Sequence, residues 1–258
     1  GEVVLSTDTF VVSPLEFPGG NIGSLAVNGT LNDVAMMGAE PVCLTAGFVL
    51  EEGLEFSGLD RIIASMADAA EHAGVPLVTG DTKVVERGKA DGLYVNTTGL
   101  GVLEGSFRPS PERAAPGDVI LVSGPLGRHG MAIMAVREGL AFESTIESDT
   151  ANLTPLVERL RESAGAAVAA LRDPTRGGLA SALNEIAQAS RVGMMLEEQA
   201  VPVPTDVAAA CEMLGLDPLY VANEGRFVCF VEAKDASRAL ELMRSHPQGS
   251  QSSIIGTV

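Results

Sequence analysis

Strand-like and helix-periodic segments alternate along this chain, and one stretch rich in proline and charge, Pro109–Gly117 (PSPERAAPG), divides them into two runs. Intermixed strands and helices exclude an all-helical bundle and an all-β sandwich, and predict two layered α/β (α+β) domains, 1–108 and 109–258. In the first run, residues 2–12 read as a strand. Asn21 is placed to cap a helix in which Ile22, Leu25, Ala26, Val34, Ala35 and Met37 recur at helical spacing up to Gly38. A strand over 41–50, a helix over 58–73 with Ser57 as its cap, a short strand over 76–79, a polar turn at 80–83 and a strand over 93–100 follow. In the second run, strands are predicted near 118–123, 168–172, 193–197, 226–232 and 252–258. Helices are predicted near 130–138, 152–164, 177–190, 205–214 and 235–245.

With no Trp and 4% aromatics, the core of such domains has to be aliphatic, and 46% hydrophobic residues supply it. Asp and Glu outnumber Lys and Arg 34 to 17, a formal charge of −17 that repels nucleic acid and anionic membranes. An acidic protein that binds a nucleotide needs divalent cations between its carboxylates and the phosphates. Cys43, Cys211 and Cys229 are scattered, odd in number and without CxxC spacing, which argues against a disulfide framework or structural zinc and suits the cytoplasm. No apolar run is long enough to span a bilayer, and the first residues do not read as a signal peptide.

Polar clusters sit where strands and helices favour apolar residues. These are Ser6-Thr7-Asp8 in the first strand, Asn32-Asp33 in an apolar helix, Gly80-Asp81-Thr82-Lys83 after a strand, Asp173-Pro174-Thr175-Arg176-Gly177-Gly178 between strand and helix, and Asn223-Glu224-Gly225 before a strand. Asp competes for backbone bonds and is disfavoured inside regular elements, so repeated misfits mark a candidate site. If the fold gathers them, Asp8, Asp33, Asp81 and Asp173 form a hard-oxygen set suited to Mg²⁺. Each also has an ordinary reading: a turn aspartate, a helix cap, a solvated helix residue. Lys83 and Glu224 are read either as reacting groups or as a surface lysine and a turn glutamate. Gly124, Gly127 and Gly130 read as an anion-binding turn at a helix start, with His129 inside it, although their spacing fits neither phosphate-loop nor dinucleotide fingerprints.

Five segments together resemble the HypE family of hydrogenase maturation proteins in order and spacing: Phe17–Gly23 (FPGGNIG), Gly29–Ala39 (GTLNDVAMMGA), Val78–Val85 (VTGDTKVV), Asp173–Gly178 (DPTRGG) and Ala222–Gly225 (ANEG). The second alone resembles only the wider superfamily of aminoimidazole ribonucleotide synthetase, selenophosphate synthetase and thiamine-monophosphate kinase. The resemblance implies a two-domain PurM-like fold whose N-terminal domains pair their strands into a dimeric β-barrel. It implies ATP and Mg²⁺ bound between the domains, and dehydration of a carbamoylated C-terminal cysteine to a thiocyanate that becomes a cyanide ligand of iron. HypF is implied as carbamoyl donor and a HypC–HypD complex as acceptor.

Carried onto this sequence, the resemblance implies Asp8, Asn32, Asp33, Asp81, Thr82, Asp173 and Arg176 as nucleotide contacts, with the four aspartates on the metal. It implies Glu224 as the base, Lys83 as a charge-stabilising partner and His129 as a further catalytic candidate. Against the family pattern, the chain is expected to lack an N-terminal segment and the Pro-Arg-Ile-Cys tail. Two other functions stay open: a different ATP-using enzyme of the superfamily, of selenophosphate synthetase, kinase or small-molecule synthetase type, and a non-catalytic acidic dimeric scaffold.

Overall fold

The computed structural model describes residues 1–140 and 146–258. Its first part runs β1 (Glu2–Phe10), a small hairpin of β2 (Glu16–Phe17) and β3 (Gly20–Asn21), α1 (Ile22–Met36), β4 (Glu40–Glu51), α2 (Phe56–Ala73), β5 (Leu77–Val85) and β6 (Leu93–Leu103). The long strands form a four-stranded sheet in the order β1-β6-β4-β5. Only the β4–β5 pair is parallel, because α2 carries the chain back between them.

Helix α1 starts as its sequence predicts. The Asn21 side chain accepts from the backbone N–H groups of Gly23 and Ser24, and Ser24 Oγ in turn accepts from the Asn21 N–H, a complete capping box. The helix is apolar around almost its whole circumference, and Ile22, Leu25, Ala26, Leu31, Val34 and Ala35 are buried. A helix buried on all sides needs cover on all sides. The N-terminal sheet supplies one side, and Leu153, Leu156 and Leu171 of the second part pack in the same core as Ala35 and Met36. Thus α1 is the junction of the two halves.

Two local expectations are corrected. Helix α2 starts two residues early, at Phe56, because the Glu55 carbonyl accepts from Gly58 and Leu59 and closes the first turn. Ser57 therefore lies inside the helix and does not cap it. The Gly80–Lys83 segment is not a turn but the middle of β5, held residue by residue against β4 from Thr45–Thr79 to Glu51–Val85. Gly80 allows the close approach, since a Cβ there would lie 2.3 Å from the Ala46 carbonyl oxygen.

The second part runs β7 (Asp118–Val122), α3 (Arg128–Arg137), α4 (Thr154–Ala164), β8 (Val168–Arg172), α5 (Gly178–Ser190), β9 (Met195–Leu196), α6 (Thr205–Leu214), β10 (Val228–Glu232), α7 (Ala236–Arg244) and β11 (Ser253–Thr257). Its five-stranded antiparallel sheet has the order β8-β10-β7-β11-β9. Leu121, Cys229 and Val231 face α4 and α7, while Ile120, Val122 and Phe230 face α5. A sheet covered on both faces needs continuous apolar strands, which explains the Val-Ile-Leu-Val and Val-Cys-Phe-Val runs at its centre.

Candidate active site

Strand parity sets which β1 side chains reach the cleft between the halves. Val4, Ser6, Asp8 and Phe10 share the face turned towards α1, with Val3, Leu5, Thr7 and Thr9 on the other. Ser6 Oγ donates to Asp33 Oδ2 at 2.8 Å, tying strand to helix. Burial raises the Asp33 carboxyl above its ordinary range, only partly offset by the Ser6 hydroxyl. Across the cleft β8 ends at Arg172, and the next residue, Asp173, is 4% exposed. Its Oδ1 has no hydrogen-bond partner among the described residues. Burial first, and the nearby Asp33 second, push its carboxyl up to about 7.

The turn after Asp173 needs its glycines. Gly177 and Gly178 have φ of 73° and 62°, and a Cβ on Gly178 would lie 2.6 Å from the Leu219 carbonyl oxygen. Two adjoining cavities of about 230 and about 300 Å³ share Asp8, Asp33, Asp173, Thr175 and Arg176 in their walls. The larger extends to Gly29, His129 and Glu224. Glu224 is raised well above the ordinary carboxylate range, by burial and then by Asp173, Asp149, Asp8 and Asp33. Several carboxylates therefore crowd one cleft without enough positive charge between them.

His129 is buried. Its Nδ1 lies 2.8 Å from Ser148 Oγ, and its ring meets Phe17 edge to face at 5.5 Å. Burial lowers it to about 4, so the imidazole is neutral at neutral pH. Two N–H groups of the glycine turn around it are engaged within the chain. Gly127 N–H donates to Asn223 Oδ1 at 2.6 Å and Gly130 N–H to the Ala222 carbonyl at 3.0 Å, and a Cβ on Gly130 would strike Val221. Those glycines serve close packing.

Asn32 is corrected as well. It is 1% exposed, and its side chain is engaged with the backbone of residues 151, 153 and 224, leaving nothing to offer a nucleotide. Asp81, Thr82 and Lys83 do not join the cleft of their own chain. Asp81 pairs across the sheet with Gly47, which pairs with Asn96, whose partner is Thr9. That row carries Asp81 to the face opposite Asp8, about three strand spacings (~14 Å) away. There Asp81 and Lys83 pair at 2.7 Å, their side chains 72% and 70% exposed. The salt bridge holds Asp81 below its ordinary range.

Asp149 carries no sequence signal, being one aspartate in an irregular Ser-Asp-Thr stretch. It is buried and accepts from the backbone N–H groups of Glu224 and Gly225, with Arg226 at 3.9 Å.

Among the described residues no three Asp, Glu, His or Cys side chains converge closely enough to hold a metal ion by themselves. The four-aspartate cluster is thus reduced, within one chain, to Asp8, Asp33 and Asp173. Hard oxygens with one orphaned carboxylate atom fit a cation that takes its remaining ligands from phosphate and water.

The two sheets and the acidic cleft define the class. Residues 1–103 match the AIR synthase related protein N-terminal domain, and 115–258 the corresponding C-terminal domain. Carbamoyl dehydratase HypE of Azotobacter vinelandii is 57% identical over 258 residues, covering 100% of this chain and 75% of that protein. A crystal structure of hydrogenase maturation protein HypE in complex with ATP superposes with a TM-score of 0.97 at 50% identity, covering 100% of this chain and 76% of that one. A HypE–HypF complex does so with a TM-score of 0.97 at 50% identity, covering 99% and 83%. The chain belongs to the HypE family of carbamoyl dehydratases.

Proposed function

We propose that this chain catalyses the ATP-dependent dehydration of a cysteine thiocarbamate to a thiocyanate, which supplies the cyanide ligand in [NiFe]-hydrogenase maturation. The observation that carries the reading is the grouping of buried Asp173 with half-buried Asp33 and Glu224 in the wall of one cleft, in a chain of this family. Membership in a carbamoyl dehydratase family displaces both the kinase or synthetase alternative and the scaffold.

A carbamoyl oxygen is a poor leaving group, so it must first be phosphorylated. The oxygen attacks the γ-phosphorus, ADP leaves, and one proton departs from nitrogen to give S–C(=NH)–OPO₃. Removal of the second nitrogen proton forms the C≡N bond as the C–O bond breaks and phosphate leaves. Glu224, in the cavity wall it shares with Asp33 and Asp173, takes that proton as its carboxylate. Asp8, Asp33 and Asp173 would hold Mg²⁺, which neutralises triphosphate charge. Arg176, exposed at the cleft, and Thr175 offer further phosphate contacts. Neutral His129 supplies a hydrogen-bonding wall for the carbamoyl group.

Asp81, Thr82 and Lys83 act, on this reading, from a second copy. The outer sheet face exposes Val3 (61%) and Leu5 (63%), and edge strand β5 exposes Val78 (58%) and Val84 (70%), surface that a homodimer would cover. A HypF-type carbamoyl donor and a HypC–HypD acceptor are the partners, and the three free cysteines suit the cytoplasm. No helix among the described residues is long and apolar enough to cross a membrane.

Mass spectrometry of full-length protein carrying a carbamoylated terminal cysteine tests the reading. ATP is expected to remove one water from that residue in the wild type, and not in Glu224→Gln. Hydrolysis of ATP with the thiocarbamate left intact would overturn it.

A further inference from the structure

Glu224 sits in an irregular segment ahead of β10, so no ladder or helix holds its peptide groups. Side chains from the two halves hold them instead, with one longer backbone bond from the Ala151 N–H to the Glu224 carbonyl at 3.4 Å. Its N–H donates to Asp149 Oδ1 at 3.2 Å, and its carbonyl accepts from Asn32 Nδ2 at 3.3 Å. The same Asn32 amide donates to the Ala151 carbonyl at 3.0 Å, and Asn32 Oδ1 accepts from Leu153 N–H at 2.8 Å. Asp149 Oδ2 accepts from Gly225 N–H at 3.3 Å. The Asp149 side chain is only 1% exposed, with Arg226 Nε 3.9 Å away to balance its charge. Gly225 has no room for a side chain, as a Cβ would lie 1.7 Å from the Asp149 carbonyl oxygen.

Asn32 precedes Asp33 on α1. One rigid helix thus carries both a nucleotide-side carboxylate and the group that grips the glutamate's main chain. We infer that Asn32 and Asp149 are positioning residues that clamp the Glu224 peptide from opposite sides of the cleft, and so set its distance from Asp33 and from the reacting nitrogen. The inference rests on the reading of Glu224 as the elimination base. A buried amide with every donor and acceptor engaged has one geometry open to it, because any other leaves buried polar groups unpaired.

The test uses full-length protein with a carbamoylated cysteine, and rates are expressed per ATP-binding site so that unfolded molecules drop out. Asn32→Asp keeps the acceptor for Leu153 but turns an oxygen towards two carbonyls. Asp149→Asn keeps shape but leaves one of the two N–H groups facing another donor. Each is expected to lower kcat roughly 10- to 100-fold, the effect of a base displaced by about an ångström. The KM for ATP should stay within about threefold, since the nucleotide-side carboxylates are untouched. In a Glu224→Gln background neither should lower the residual rate further.

Full kcat in both folded variants, with Glu224→Gln inactive, overturns the clamp and leaves the base assignment standing. An active Glu224→Gln overturns the base assignment and the clamp with it. A rise in the KM for ATP at unchanged kcat makes these residues part of nucleotide binding and also overturns the inference. If Asn32→Asp does not fold, Asp149→Asn decides alone.

Discussion

Replacing Asp173 by asparagine should make the ligand-free protein more stable at alkaline pH while disabling it. The native carboxyl is pushed up to about 7 from an ordinary value of 3.8. Between those values the folded state holds the proton more tightly than the unfolded chain, so stability falls as pH rises through the window. At about 1.4 kcal/mol per pKa unit, the buried charge costs about 4 kcal/mol at pH 8 and about 2 kcal/mol at pH 5. An asparagine in its place carries no charge but forfeits about 1 kcal/mol, because its amide brings N–H hydrogens to satisfy at a site where the aspartate already leaves one oxygen unpartnered. The variant should therefore gain about 3 kcal/mol over wild type at pH 8 and about 1 kcal/mol at pH 5, read from urea or thermal unfolding of nucleotide-free protein. ATP-dependent turnover should fall about 100-fold or more with the loss of this proposed cation-holding carboxylate. Parallel stability curves for the two proteins from pH 5 to pH 8, or a less stable variant at pH 8, would refute the assignment of Asp173 as an uncompensated buried carboxylate.

His129 works in the opposite pH direction. Its folded value of about 4 lies below the ordinary 6.5, so its contribution is present above pH 6.5 and is lost as pH falls towards 4. His129→Gln should remove up to about 3 kcal/mol of that acid dependence, measured by urea unfolding between pH 4 and 7. Gly225→Ala should destabilise by about 4 kcal/mol or more, because its Cβ would overlap the Asp149 main chain, and a melt within a few degrees of wild type would count against that packing. The proposed homodimer predicts that Leu5→Asp on the exposed sheet face lowers the sedimentation coefficient to that of a monomer without changing the far-UV circular dichroism. A sedimentation coefficient equal to that of the wild type would overturn pairing through this face.

The amino-acid order determined the local structure well wherever short-range chemistry decides it. Asn21 capped α1, Gly74 ended α2 in the left-handed region, and the apolar runs of β7 and β10 became strands buried on both faces. The polar misfits Asp8, Asp33, Asp173 and Glu224 pointed to the cleft, because a carboxylate inside an apolar element needs a reason that local propensity does not supply. Tertiary structure alone decided which polar groups meet. Asp81 and Lys83 went to the far face because β5 pairs in register with β4, and a strand shows alternate residues to opposite sides. The glycine turn went to packing, His129 to the interior and Asn32 to the backbone of Glu224, a partner 192 residues away along the chain. Caps and apolar periodicity act over a turn or two of chain, whereas the desolvation and hydrogen-bond partners of a buried side chain are set by whatever the fold packs around it.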